Sequence, residues 1–328
     1  MDKKIRGGAQ ISLNPERLIC KFEFMSEQTY HTSVMLSECI EGLAIRPDGI
    51  YVDVTFGGGG HSKEILSKLG PDGRLLAFDQ DPDAWNQAEK IDDDRLTLIT
   101  ANFRYLEKYL RLHGVKQVDG ILADFGVSSY QLDAASRGFS TRFDGPLDMR
   151  MGPSASMDAK DVLNGYSAEQ LQRIFGMYGE IKNARTLAQA VIQARTQKSL
   201  ETTSEFKEIL FKLAPRGKEF KYFAQAFQAV RIEVNQELQV IEEFLAQAPS
   251  VLNVEGRLCV MSFHSLEDRL VKNFIKTGDC FGKEDKDMFG VVHKPLASEI
   301  RKPITASPEE LKANPRSRSA KLRIASKL

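Results

Sequence analysis

Three features predict an α/β protein built on a doubly wound, mostly parallel sheet. From residue 50 to residue 124, short and nearly continuous apolar runs alternate with helix-period segments. Runs of that kind suit strands covered on both faces, and their alternation with helices is the rhythm of repeated βα units. After residue 160 several purely helical patterns follow one another before strand-like sequence returns at residue 257, which predicts a helical insertion in the α/β domain.

The elements follow in order. Residues 50–54 read as a strand ending at a glycine cluster, and 62–68 as a helix with Ile65 and Leu66 on its apolar face. Pro71-Asp72-Gly73 is a turn. Strands are expected over 74–79, 96–100 and 120–124, with helices over 84–90 and 105–112 between them. Residues 125–160 carry turn formers without a period, a length of irregular chain that usually serves function or is disordered. Ser167 and Gln170 form a capping-box pattern before Leu171, Ile174 and Phe175, and Thr202 with Glu205 repeats it before Phe206, Ile209 and Leu210. Ala184, Leu187, Ala188, Val191 and Ile192 mark a helix between these two, and one longer helix is expected over 220–247. A strand over 257–263, a helix opened by Ser265-Leu266-Glu267-Asp268, and a half-exposed strand at 319–325 complete the chain. In that last strand Ala320, Leu322 and Ile324 alternate with Lys321 and Arg323, which favours antiparallel pairing.

Composition bounds the function. The 328 residues are 42% hydrophobic and 27% charged, with a formal net charge of zero, so only local clusters can argue for a polyanionic partner. The four cysteines, Cys20, Cys39, Cys259 and Cys280, form no C-x-x-C pair, and no H-E-x-x-H occurs. We expect no metal centre, no disulfide framework and a cytoplasmic setting. No run approaches the roughly 18 apolar residues of a membrane helix. The basic start leads into Gly7-Gly8-Ala9-Gln10 rather than a signal-peptide core, so residues 1–29 read as a disordered extension.

The chemistry concentrates after the first strand, where the chain reads IYVDVTFGGGGH over 50–61. Glycines there let a backbone approach a ligand closely. The P-loop spacing G-x-x-x-x-G-K-[ST] fails, as does G-x-G-x-x-G, because the required glycines fall on Ser62 and Lys63. A pyrophosphate cradle is therefore disfavoured. Asp79 ends the second strand 19 residues after Gly60, a place that suits a carboxylate holding ribose hydroxyls. Phe103 follows the third strand where an adenine could stack, and Asp124 ends the fourth. Ribose and adenine contacts without a phosphate cradle point to S-adenosylmethionine, with NAD and a dehydrogenase as the alternative.

Longer blocks extend this reading: DFGVSSYQLD at 124–133, RGFS at 137–140, FDGPLDMRM at 143–151, FQAVRI at 227–232, SFHSLEDR at 262–269 and NPRSRSAKLR at 314–323. From about residue 30 to its end the chain resembles the bacterial 16S rRNA (cytosine-N4)-methyltransferases, the RsmH/MraW family. The resemblance implies a seven-stranded, Rossmann-like methyltransferase core over 30–136 and 219–328 with an inserted helical substrate-recognition domain over 137–218. It also implies methylation of a cytidine N4 amine in the decoding region of 16S rRNA within the small ribosomal subunit. Carried over by position, the S-adenosylmethionine contacts are Gly59, Gly60, His61, Asp79, Phe103, Asp124 and Gln131, leaving Gly57 and Gly58 to set the shape of the turn. Tyr130 departs from the family's usual proline.

A cytosine amine is a poor nucleophile, because its lone pair is delocalised into the ring. An acceptor at Asp124 would hold its N–H groups and take a proton. Ser128, Ser129 and His264 are further candidates, and His264 also reads as a helix-cap imidazole. The Pro-Pro-Tyr/Phe motif of many amino-directed methyltransferases is absent after Asp124, so N4 specificity rests on the resemblance. For RNA, residues 311–328 hold Lys312, Arg316, Arg318, Lys321, Arg323 and Lys327 and no acid. Loop 137–151 sets Arg137, Arg142 and Arg150 among Phe139 and Phe143, a combination able to grip an unstacked base. Family members begin near Tyr30, which makes Met25 the expected natural start. Mass spectrometry of the native protein should find residues 1–24 missing, and their presence would contradict that start.

Overall fold

The computed structural model describes residues 33–328. The readings of residues 1–29 and of Met25 as a start lie outside them. After a first helix α1 (Leu36–Leu43), the predicted βα units appear in order: β1 (Ile50–Asp53), α2 (Gly60–Lys68), β2 (Arg74–Phe78), α3 (Pro82–Ala88), β3 (Leu96–Ile99), α4 (Leu106–Leu112) and β4 (Val118–Asp124). The stretch expected to be irregular contains one short helix, α5 (Ser129–Asp133). Four helices follow, α6 (Ala159–Gly165), α7 (Ala168–Met177), α8 (Ala184–Gln197) and α9 (Thr203–Leu213), then α10 (Glu219–Asn235) and α11 (Glu237–Val251). The chain closes with β5 (Leu252–Ser262), α12 (Ser265–Thr277), β6 (Leu296–Ser298), β7 (Ile304–Thr305), α13 (Pro308–Ala313) and β8 (Lys321–Lys327).

Seven strands run in the order β3-β2-β1-β4-β5-β8-β6, and β7 pairs with β8 beside that path, so the sheet has eight strands. β1 to β5 pair in parallel, while β8 runs antiparallel to β5, β6 and β7. The period-2 geometry of a strand sends neighbouring side chains to opposite faces, and the core divides accordingly. Val52, Leu76, Ile121 and Leu258 join one apolar cluster with Leu106 and Leu110 of α4, Phe244 of α11 and Phe274 of α12. Their neighbours Tyr51, Leu75, Leu122 and Cys259 join the other, with Met35, Cys39 and Leu43 at α1 and Ile65 and Leu66 of α2. Both faces being covered explains why these strands read as continuous apolar runs.

Helices α6 to α10 gather around an apolar cluster of their own, from Phe139 to Val234. Tyr222, Phe223, Phe227 and Val230 of α10 belong to it, so α10 packs with the inserted helices. The capping boxes at Ser167 and Thr202 form as their sequences predict. The third opens one residue before Ser265: His264 caps α12, as its helix-cap reading expects, because the imidazole accepts the Glu267 N–H.

A second difference is the long helix. The apolar period predicts one helix over 220–247, but the chain breaks it at Gln236, which takes the left-handed conformation at φ 52°. Polar contacts hold the break. Arg231 donates to both carboxylate oxygens of Glu237 at 2.8 and 3.0 Å. Asn235 accepts from the Met151 N–H and donates to the Met149 carbonyl, each at 2.7 Å. Hydrophobic periodicity cannot register such a turn, since it rests on side chains of the polar face. Arg231→Met would strip Glu237 and the neighbouring Glu267 of their guanidinium. Removing one member of a buried pair costs about 3–5 kcal/mol, and denaturant unfolding should show a loss of that order. An unchanged midpoint would contradict this account of the break.

Candidate active site

From β1 the chain winds outward through β2 and β3, whereas β4 and β5 lie on its other side. The boundary between β1 and β4 is thus the topological switch point, where a doubly wound sheet opens a crevice beyond the carboxyl ends of its strands. Everything that ends there is polar. Asp53 at the end of β1 is buried and accepts from the Ser62 hydroxyl at 2.7 Å and the Thr55 N–H at 3.1 Å. Burial pushes its carboxyl above the usual range, against the pull of His61 and of the Ser62 and Thr55 hydrogen bonds. The Thr55 hydroxyl accepts the Asp124 N–H at 2.7 Å, which ties the ends of β1 and β4 together.

The glycine turn has a defined division of labour. Gly57 and Gly59 take left-handed φ values of 54° and 76°, a region that favours glycine because it has no Cβ. A Cβ on Gly58 would meet nothing within 4 Å, whereas one on Gly60 would fall 2.0 Å from the Ser33 hydroxyl. The shape-setting glycines are therefore Gly57 and Gly59, not the expected Gly57 and Gly58, and Gly58 presents the open face. Gly59 caps α2 without a side-chain hydrogen bond, leaving the first-turn N–H groups for another acceptor.

Asp79 is bound into this turn: its two oxygens accept the Gly57 N–H and the Asp81 N–H, each at 2.8 Å. Burial pushes its carboxyl up to about 6, even though both N–H groups favour the charged form. His61 sits behind the turn, 5% exposed, with Nε2 3.1 Å from the Val34 carbonyl and Nδ1 3.9 Å from Asp124 Oδ2. Burial lowers its pKa despite the opposing charge of Asp53, which keeps the ring neutral. Asp124 Oδ1 is buried and has no hydrogen-bond partner. Burial, then the charges of Asp53 and Glu267, hold the Asp124 carboxyl well above the usual range. The fold thus brings Gly59, Gly60, His61, Asp79 and Asp124 to one sheet edge.

Phe103 and Gln131 have more structural duties than expected. The Phe103 ring is half-buried, stacked on Phe125 at 5.8 Å and edge-on to Phe244 at 5.5 Å. Gln131 accepts the Ser128 N–H with Oε1 at 2.9 Å and donates from Nε2 to Asp81 at 2.6 Å. Ser128 caps α5 by accepting the Gln131 N–H.

Asp81 itself escaped sequence reasoning, although it anchors the near part of the loop after β4 to the sheet edge. It is 4% exposed, accepts the Asp83 N–H as the cap of α3, and takes two further hydrogen bonds from Arg137 at 3.0 and 2.9 Å. Arg137 also binds Asp83 and the Arg150 carbonyl, and Arg150 is paired with Asp148. Of the three loop arginines, Arg142 remains the most exposed, with its guanidinium 5.7 Å from the centre of the Phe143 ring. The basic C-terminal stretch is likewise mostly engaged. Lys321 and Arg323 bind Asp268 at 3.1 and 2.7 Å, and Lys327 donates to the Pro249 carbonyl. These residues sit in β8, which lies within the sheet rather than trailing from it.

Behind the crevice, Glu237, His264 and Glu267 bring candidate ligand atoms within 4.8 Å of one another. Arg231 supplies the positive charge there, bound to Glu237 and drawing Glu267 below the usual range together with His264, against the effect of burial. Replacing Asp81 by alanine should free the loop without unfolding the sheet. Losing hydrogen bonds to a charged group costs about 1.5–3 kcal/mol, so amide exchange over 133–151 should quicken roughly 10- to 100-fold while β1 and β4 stay protected. Unchanged protection in that loop would refute the anchor.

Residues 28–328 match the MraW methylase family. A protein named ribosomal RNA small subunit methyltransferase H from Cytophaga hutchinsonii is 54% identical over 296 residues, 90% of this chain and 99% of its own. One of the same name from Flavobacterium psychrophilum is 54% identical over 293 residues, 89% of this chain and 100% of its own. Similarity of this extent across the whole crevice leaves no room for the dehydrogenase alternative: the chain belongs to the MraW methylase family.

Proposed function

We propose that this chain transfers a methyl group from S-adenosylmethionine to the exocyclic N4 amine of a cytidine in the decoding region of 16S rRNA. The observation that carries the site assignment is Asp124 Oδ1, buried without a partner at the carboxyl end of β4 beside the glycine turn. An orphaned carboxylate oxygen in a crevice is an acceptor in want of a donor, and an amine offers two. The relatives' names support the substrate class, and the blocks at 124–151 and 314–323 support the cytidine. No helix among the described residues is long and apolar enough to cross a membrane, which accords with work on ribosomal subunits in the cytoplasm.

The residues fit the cofactor. The open face of Gly58 and the uncapped start of α2 would receive the amino-acid end, since helix N-terminal N–H groups favour a carboxylate. Gly59, Gly60 and His61 shape that wall. Asp79 would accept the ribose hydroxyls, Phe103 would border the adenine, and Gln131 acts through its hold on Asp81. When bound, S-adenosylmethionine supplies an electrophilic methyl group. Asp124 accepts an N–H of the amine, which favours a pyramidal nitrogen with its lone pair free for in-line attack. After transfer the nitrogen carries a surplus proton, and Asp124 takes it. A carboxylate held above the usual range is a better base for that step. His61, kept neutral, adds no competing positive charge beside it. The helical cluster over residues 137–235 would form the RNA-facing wall.

Small ribosomal subunits from cells lacking this protein, incubated with protein and cofactor, should yield N4-methylcytidine by nucleoside mass spectrometry. No such product would falsify the reaction. Asp124→Asn should lower kcat by about 100-fold or more, the scale of a lost general base, with S-adenosylhomocysteine affinity changed only a few-fold; wild-type turnover would remove Asp124 from the chemistry. For Asp79 the sign is set by its raised pKa. Folding favours its neutral form relative to the unfolded chain, so this residue's contribution to stability is present below its ordinary pKa of 3.8 and lost as pH rises through about 6. Ribose hydroxyls prefer the ionised form, so cofactor affinity should rise as pH climbs through about 6. Asp79→Asn should flatten that dependence, and an identical pH profile in the variant would contradict the ribose role.

A further inference from the structure

Two arginines far apart in sequence meet at one carboxylate. Asp133, the last residue of α5, accepts from Arg142 Nη2 at 3.2 Å and from Arg316 Nη2 at 2.7 Å, both on the same oxygen. The second nitrogen of the Arg316 fork, Nη1, is buried and has no hydrogen-bond partner. The Arg316 side chain is 29% exposed, so its guanidinium reaches the surface with one nitrogen still to be satisfied, which prepares it for an anion it does not yet hold.

The surroundings fix both forks in place. Arg316 lies in the short 3-10 turn Pro315–Ser319, where Asn314 accepts its N–H at 3.3 Å and the buried Ser317 donates to the Asn314 carbonyl at 2.7 Å. The preceding helix α13 touches the wall of the crevice, because Glu310 accepts the Met35 N–H at 2.7 Å while Val34 meets His61. Arg142 comes from the loop anchored on Asp81, and its neighbour Phe143 is 41% exposed. Arg318, two residues beyond Arg316, is exposed and has no ion-pair partner among the described residues.

Planar guanidinium forks match the tetrahedral oxyanion of a phosphate, which can take paired hydrogen bonds from each. We propose that Arg142 and Arg316 form a clamp for a backbone phosphodiester of the RNA, close to the nucleotide whose base enters the crevice. Asp133 holds the two forks in register until the phosphate arrives. The clamp rests on the reading of ribosomal RNA as substrate. It gives the basic C-terminal stretch a specific role: Arg316 grips, whereas Lys321, Arg323 and Lys327 brace the sheet.

The test uses the whole chain, small ribosomal subunits from cells lacking it, and the variants Arg142→Gln, Arg316→Gln and both together. Each single variant should raise KM for subunits about 10-fold with a smaller change in kcat, and leave S-adenosylhomocysteine affinity unchanged. The slope of log binding constant against log salt should fall by about one per phosphate contact removed. Because both forks hold one phosphate, the double variant should lose little more than the worse single. Arg142 is 60% exposed and does not support the core, so its variant keeps the test valid if Arg316→Gln folds poorly. Wild-type KM and salt slope in Arg142→Gln would overturn the clamp, as would a loss confined to kcat. If the unaltered protein neither binds nor methylates subunits, the substrate reading falls and the clamp with it. Activity of the unaltered protein with no effect of the variants overturns the clamp alone.

Discussion

The Asp81 carboxylate determines what the rest of the site can be. It caps α3 at the end of β2, and it receives Gln131 and Arg137 from the loop that follows β4. One buried side chain thereby joins the two strand ends on either side of β1. The far part of the loop is tied to the inserted helices through Asn235, Thr203 and Lys207, whereas Asp81 ties its near part to the sheet edge. Held by Asp81, it runs back over the crevice, places Phe139 in the helical core and leaves Arg142 exposed. The Arg137 fork is satisfied at the anchor itself, whereas Arg142, 60% exposed, is held only at the surface by Asp133.

Much of the sheet was legible because its strands obey a simple constraint. A parallel strand covered on both faces must be largely apolar, and the runs at residues 50, 74, 96 and 120 are. The capping boxes at Ser167 and Thr202 were legible for the same kind of reason, since each pairs two residue types at fixed spacing. The break at Gln236 was hidden, because the apolar stripe continues on both sides of it and the turn is held by Arg231, Glu237 and Asn235. The cap of α12 was legible at His264 as a helix-cap imidazole, but not in the Ser265 capping box, because a histidine ring takes the place of the usual hydroxyl as acceptor.

The site was legible where backbone geometry demands a residue type and obscure where long-range pairing decides. Glycines at a strand end announce close approach, and an acid at the end of the next strand announces a polar ligand. Which glycine bends depends on backbone conformation and on neighbours such as Phe56, so Gly59 rather than Gly58 joins Gly57 in shaping the turn. Asp53 and Asp81 were obscure because Ser62, Gln131 and Arg137, the side chains they bind, come from elsewhere in the chain; the one local signal was the N-cap position of Asp81 before Pro82. The charge of the C-terminal stretch misled in the opposite direction. Three of its six cations are engaged by Asp268 and Pro249 because β8 is an internal strand.

The proposed cofactor crevice lies at the boundary of β1 and β4, open at Gly58, walled by Asp79 and facing the unpaired oxygen of Asp124. A crystal structure with S-adenosylhomocysteine tests that claim most directly. The account places the ribose hydroxyls within hydrogen-bond distance of Asp79, the amino-acid end against Gly58 and the start of α2, and the sulfur on the side of Asp124. A product bound elsewhere, or one whose ribose turns away from Asp79, would contradict it.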